Sequence, residues 1–268
     1  MPTFVLVTSA FVLASLERLP GLRFRCSPLF RPFFASDGFY LLTGYIAGAS
    51  LALVYVVTLS TWLGTLGIPR VASLPVPLWT ATVLCLVLLD LGNYVAHTAL
   101  HRIDALWEIH KVHHSSRTLD WLATFRSHLL EQAIRRLIAP LALIVIGAPL
   151  PAIVVAASAF NAWAMLNHSN LALDLGMLEP VLVTPRLHRL HHLPETTDRN
   201  LGTVFTAWDR LLGRLVQHDV APAACFGVPT EVESYPQGWG RQFVEPFRRL
   251  GRPSDDVLDS PAPRRAAG

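Results

Sequence analysis

Histidine placement is the chemical signal of this chain. Ten of its eleven histidines lie between residues 97 and 192. His97 and His101 form an H-x3-H. His110, His113 and His114 form an H-x2-HH, and His188, His191 and His192 repeat it. On a helix, positions i, i+3 and i+4 share a face, so each group can aim two or three imidazoles at one point. That is the requirement for holding a metal from one helix. Eight imidazoles exceed what one four- to six-coordinate ion uses, so the count predicts two metals. His168, in Asn167-His168-Ser169-Asn170, is a candidate ninth ligand. His128 is a candidate for catalysis or ligation, with a supporting structural role as its alternative. His218 has no histidine neighbour and reads as a surface residue.

A polar stripe leads into the first group. Asp90, Asn93, Tyr94, His97 and His101 sit at i, i+3, i+4, i+7 and i+11. Asp90 is two turns from His97, about 10 Å along a helix. A carboxylate inside a membrane is costly and is a functional candidate by default. Asp90 could orient a histidine through its second ring nitrogen, or hold a metal-bound water. A helix–helix hydrogen bond to Ser or Asn is the alternative. Asp90, Tyr94 and His128 are the catalytic candidates.

The elements that must position these groups are apolar. Of 268 residues, 52% are hydrophobic and 15% charged, against about 25% charged in an ordinary soluble domain. Mean hydropathy is +0.41. Disorder, a nucleic-acid-binding arm and a typical soluble enzyme are disfavoured. A membrane span needs about 20 mostly apolar residues. Phe39–Leu63 and Leu78–His101 qualify, separated by the Gly/Pro-rich loop Gly64–Pro77. Residues 137–173 carry no Asp, Glu, Lys or Arg and break at Gly147-Ala148-Pro149-Leu150-Pro151. Each half is short for a span, so this stretch reads as a tight helical hairpin or re-entrant pair. The N-terminal run has no preceding basic residue and is a poor signal peptide; it reads as a short span or an interfacial anchor.

Twenty-one of the 22 Lys and Arg lie in 17–36, 101–136 and 181–268, and the exception is Arg70. The positive-inside rule then places those segments, the histidines and the C-terminus in the cytoplasm, and the 64–77 loop outside. The predicted fold is all-α: a multi-pass (polytopic) membrane helix bundle of four to five membrane segments, including a helical hairpin, under a cytoplasmic histidine-rich helical cap. Residues 1–36 form an N-terminal apolar segment and basic loop, 37–251 the membrane domain with its di-metal site, and 252–268 a disordered tail. Cys26, Cys85 and Cys225 are far apart and predict neither a thiolate metal site nor a disulfide framework.

These residues resemble the fatty acid hydroxylase/sterol desaturase superfamily. The resemblance runs through Asp90–Arg102 (DLGNYVAHTALHR) and Leu106–Ser115 (LWEIHKVHHS). It continues through Phe125–Glu131, Asn167–Asn170, Thr184–His192, Asp198–Gly202 and Trp208-Asp209, covering about residues 85–215. Leu129 stands in place of the usual proline and Leu201 in place of the usual aromatic. The resemblance implies an integral-membrane, non-haem di-iron oxygenase. Its two irons would be held by His97, His101, His110, His113, His114, His188, His191 and His192, with His168 as the additional ligand.

Such chemistry suits an unactivated C–H bond, which offers no acidic proton or electrophile to general acid–base or nucleophilic catalysis. O2 is the co-substrate and a lipid the substrate, entering from surrounding membrane lipid. No haem-attachment C-x-x-C-H or dinucleotide G-x-G-x-x-G is present, so electrons come from a separate redox partner of ferredoxin or cytochrome type. No nucleic acid is expected. Two other classes compete: a membrane di-zinc hydrolase, disfavoured by the missing H-E-x-x-H, and a bis-histidine haem electron-transfer protein. Spacing leaves the lipid, and hydroxylation against desaturation, open.

Overall fold

The computed structural model describes residues 2–28, 30–67 and 70–250. The tail expected from residue 252 lies outside them. Among the described residues the chain is all-helical, with two isolated β-bridges, Arg23 to Leu171 and Leu182 to Phe205.

Helix α1 spans Pro2–Leu16 and α2 spans Phe34–Tyr40. A π-helical stretch, Leu41–Ala47, joins α2 to α3, Gly48–Gly64. The expected span Phe39–Leu63 is therefore interrupted by a change of helical pitch. Helix α4 runs Leu78–Arg102 and α5 runs Asp104–His114. Helices α6, Leu129–Ile138, and α7, Leu141–Val145, lead to α8, Leu150–His168. The short α9, Pro185–His191, and α10, Ala207–Leu211, precede α11, Trp239–Leu250.

Among the described residues two helices, α4 and α8, are long and apolar enough to cross a membrane. At about 1.5 Å per residue, α8 is roughly 28 Å long. The expected pair of short halves is thus corrected: one half is the five-residue α7, and the other is a full 19-residue helix. Gly147 supplies the reversal, with a left-handed φ of 62°. The break is sealed by the loop before α4, where Val71 N–H donates to Ile146 O (2.9 Å) and Ala72 N–H to Gly147 O (3.0 Å). Helix α8 therefore starts at the loop end of α4 and finishes at its histidine end, antiparallel to it.

Small side chains let these helices approach. Ala81 and Cys85 of α4 are buried with Ala148, Ala152 and Ala156 at the start of α8, and Leu143 fills the space between. Between apolar helices in lipid, close van der Waals packing rather than hydrophobicity drives association. Helix α1 packs on α8 through Leu13 and Met165. Large apolar side chains face outward, among them Leu51 and Trp79, each 71% exposed. A soluble surface rarely carries so many.

Gly92 marks the tightest crossing. A Cβ there would lie 2.5 Å from Ala139 O, on the α6–α7 junction. Gly92→Ala must push backbone from backbone. Overpacking of this kind costs about 1–3 kcal/mol, so the thermal midpoint in detergent should fall. An unchanged midpoint would mean that the crossing is looser than described.

Candidate metal centre

One extended residue turns α4 into α5. Ile103, at φ −100° and ψ 116°, folds the chain so that α5 returns across the end of α4. His97 and His101 come from α4, and His110, His113 and His114 from α5. His168 is the last residue of α8. The side chain of Thr184 caps α9 by accepting from Leu187 N–H, and Pro185 opens it, so His188, His191 and His192 meet the others. All nine histidines are buried.

They form two adjoining groups. His97, His101, His110, His114 and His191 make one, and His113, His168, His188 and His192 the other. Within each, the candidate ligand atoms lie within 4.8 Å of one another. Each H-x2-HH aims two of its three imidazoles at one group and the third at the other. Residues four apart differ by about 40° around a helix, so His110 pairs with His114 and His188 with His192. The neighbours His113 and His191 point about 60° away from the first member of their motif and join the opposite group. Helices α5 and α9 each serve both groups.

Ring tautomers show what these groups are built to hold. Nδ1 of His97 donates to Leu201 O (2.8 Å), that of His113 to Arg126 O (3.0 Å), that of His168 to Ala164 O (2.9 Å) and that of His191 to Arg199 O (3.0 Å). A carbonyl only accepts, so these Nδ1 atoms carry the proton and each Nε2 presents a lone pair. Yet Nε2 of His113 lies 3.2 Å from Nε2 of His168. The His168–His188 separation is 3.0 Å and the His97–His110 separation 3.1 Å. In the His113–His168 pair, where carbonyls hold both Nδ1 protons, the facing lone pairs repel unless a cation lies between them. Two imidazoles bound at right angles, each about 2.1 Å from one ion, stand about 3.0 Å apart. The donor set therefore fits a metal ion in each group. Burial pushes His110, His113, His114, His188, His191 and His192 well below the ordinary imidazole range, which keeps them neutral and ligand-ready.

The three catalytic candidates lie elsewhere. Asp90 touches no histidine and neither a Ser nor an Asn. It accepts from the N–H groups of Val204 (2.9 Å) and Phe205 (3.0 Å) and from the Trp208 indole (2.8 Å). Tyr94 donates to Asp209 Oδ1 (3.2 Å). Asp209 in turn accepts from Leu201 N–H (3.0 Å) and Gly202 N–H (2.7 Å). Asp90 and Tyr94 thus pin the 201–208 loop, whose Leu201 carbonyl orients His97. His128 caps α6: Nδ1 accepts from Leu130 N–H (3.2 Å) and Nε2 donates to Phe243 O (3.1 Å). With both ring nitrogens engaged, it has no lone pair left for a metal. His218 is exposed, as expected.

Other supporting groups carried no spacing signal. Glu131 Oε1 lies 2.9 Å from His110 Nδ1, Asp198 Oδ1 3.3 Å from His101 Nδ1, and Thr197 Oγ1 3.2 Å from His114 Nδ1. Leu201 stands in place of the usual aromatic, and its backbone carbonyl is what orients His97.

A cavity of about 560 Å³ adjoins the centre. His97, His113, His168 and His188 form one wall, and Leu53, Val56, Leu89, Ile153 and Val154 line the apolar part.

Residues 82–214 match the fatty acid hydroxylase family. The chain is 31% identical over 178 residues to an ornithine lipid hydroxylase of Rhizobium tropici, covering 66% of this chain and 53% of the relative. It is 34% identical over 128 residues to an alkylglycerol monooxygenase of Danio rerio, covering 46% of this chain and 28% of the relative. The chain thus spans about half the length of the first and less of the second. No solved structure matches it.

Asp209→Ala releases Leu201 and with it the acceptor that orients His97. Loss of such outer support lowers metal affinity about 10–100-fold. Chelator competition on the purified protein should show that fall, with two ions per chain still bound at saturation. Unchanged affinity would mean that His97 is held without the loop.

Proposed function

Because the chain belongs to the fatty acid hydroxylase superfamily, we propose that it is a membrane-bound, O2-dependent oxidoreductase that hydroxylates or desaturates a lipid C–H bond at a non-haem di-iron centre. The observation that carries this reading is the pair of buried histidine groups on the wall of a largely apolar cavity. The relatives named above are a lipid hydroxylase and a monooxygenase, which supports the same reaction class.

Nine neutral imidazoles would hold the two irons, five around one and four around the other. Iron bound there supplies the power to take hydrogen from an unactivated C–H bond, using O2 and two external electrons. Hydroxylation balances with one oxygen atom in the alcohol and one in water; desaturation places both in water.

The rest of the work belongs to the protein. The carbonyls of Leu201, Arg126, Ala164 and Arg199 hold the rings so that each Nε2 faces inward. Apolar side chains of α3, α4 and α8 bind the hydrocarbon and exclude water. Asp90 and Tyr94 act as positioning residues through the 201–208 loop. Electrons come from a separate ferredoxin- or cytochrome-type partner.

We further propose that the chain spans the membrane several times. The charge-free α1, the π-interrupted α2–α3 segment and α7 add to α4 and α8. The basic segments put the histidine end in the cytoplasm, and Arg70 lies at the opposite end of α4.

Lipid mass spectrometry of cells with and without expression should reveal a +16 or −2 mass change that depends on O2. His113→Ala and His191→Ala, one from each histidine group, should both return it to background. Purified protein holding stoichiometric zinc, no iron and no O2 uptake with any lipid would overturn the proposal.

A further inference from the structure

The two histidine groups have different surroundings. The cavity wall takes His113, His168 and His188 from the four-membered group, and His97 from the five-membered one. The rest of the five-membered group, His101, His110, His114 and His191, stands outside that lining.

Trp107 lies against this second face. The centroid of its indole is 5.1 Å from the His101 ring, 5.4 Å from the His114 ring and 6.0 Å from the His110 ring. Aromatic rings about 4.5–7 Å apart are in direct contact. Trp107 is half-buried, and residues 102–105 just ahead of it are exposed. Like the three histidines it touches, it stands outside the cavity lining. One indole therefore connects three imidazoles of a single group to the protein surface.

Packing alone asks only for an apolar side chain here, and a leucine would meet it. An indole adds a π system in unbroken contact from the surface to the ligand rings. Electron transfer weakens exponentially with the gap to be crossed, and a conjugated bridge shortens the effective gap. The path continues between the groups. The rings of His110 and His113 stack at 5.2 Å and 20°, and those of His114 and His192 stand 4.7 Å apart.

Building on the lipid-oxygenase reading, we propose that Trp107 is where electrons enter the centre. A one-electron carrier protein, haem or iron–sulfur, passes them through the indole to the ion of the five-histidine group. Each transfer oxidises the carrier by one electron and takes one ferric ion to ferrous. Two transfers reduce both ions, and the indole is unchanged in the net reaction. The lipid meets the four-histidine group from the cavity, so carrier and substrate use different faces of the centre.

The full chain in detergent tests this without turnover. A ruthenium–bipyridyl photosensitiser is attached at Asp104→Cys in a Cys26→Ser/Cys225→Ser background, which leaves Cys85 buried and unlabelled. Position 104 shares a face of α5 with Trp107, three residues on. With O2 excluded and a sacrificial amine present, a flash delivers one electron to the oxidised, iron-loaded centre, read as loss of ferric absorption. Trp107→Leu should slow that transfer by about tenfold, a barrier rise of about 1.4 kcal/mol. Trp107→Phe, which keeps a ring in the contact, should recover most of the rate. Iron content and reduction by dithionite should stay the same. With the sensitiser at Leu211→Cys on α10, Trp107→Leu should change nothing. Equal rates from position 104 with and without the indole overturn the proposal. An equal loss from both attachment sites also overturns it, because Trp107 then only supports the histidines. If Trp107→Leu loses its iron, the chain with Trp107 intact decides: transfer from position 104 should outpace transfer from position 211 by about tenfold, and no advantage overturns the proposal. Metal-loaded protein that dithionite does not reduce refutes the oxygenase reading itself.

Discussion

Lone pairs cannot be left facing each other across 3 Å in a dry interior, and the architecture of this protein follows from that constraint. An imidazole presents an inward lone pair when its other nitrogen carries the proton, and an acceptor fixes that tautomer. Four of the nine find that acceptor in backbone carbonyls, from Leu201, Arg126, Ala164 and Arg199. Those carbonyls belong to loops and to a helix end, so the loops must be as rigid as the helices. Much of the polar burial in the chain serves that end.

Arg126 illustrates the depth of this support. Its carbonyl holds His113 while its guanidinium, 1% exposed, donates to Asp37 Oδ1 at 2.6 Å. Asp37 and Asp120 are bridged in turn by Arg31, at 2.6 and 2.7 Å. Isolated charges would be untenable there, but the alternation of sign makes burial affordable. One imidazole is therefore oriented by a chain of ionic contacts reaching back to α2. The 201–208 loop is the equivalent device for His97, with Asp90 and Asp209 as its anchors.

Much of this was legible in the residues. The polar stripe on α4 is real: Asp90, Asn93, Tyr94, His97 and His101 are all buried on that helix. The eight histidines named from spacing and His168, named beside them, are the nine that converge. What spacing could not reveal was how they are shared, because H-x2-HH constrains angles within one helix and says nothing about where the facing helices stand. The partners of Asp90 are hidden from the sequence for the same reason. Its partners are the backbone of Val204 and Phe205, more than 110 positions away, and a backbone amide has no signature in sequence. For His128, residue type leaves catalysis, ligation and a structural role open, and its place at the start of α6 shows both nitrogens engaged. The α7–α8 break was visible from its glycine and prolines, but its depth depended on contacts with the 70–73 turn.

The Asp90 clamp also sets an order of assembly. Its partners lie 114 and 115 residues downstream. At typical synthesis rates the ribosome needs on the order of ten seconds to make that stretch. During that interval α4 exists with a buried carboxylate whose three hydrogen-bond donors have not yet been made. A central carboxylate opposes membrane insertion by about 2.5–3.5 kcal/mol. The polar stripe of α4 is therefore incomplete until residues 191–209 emerge. The histidine centre and the burial of the α4 polar stripe are completed by the same late segment.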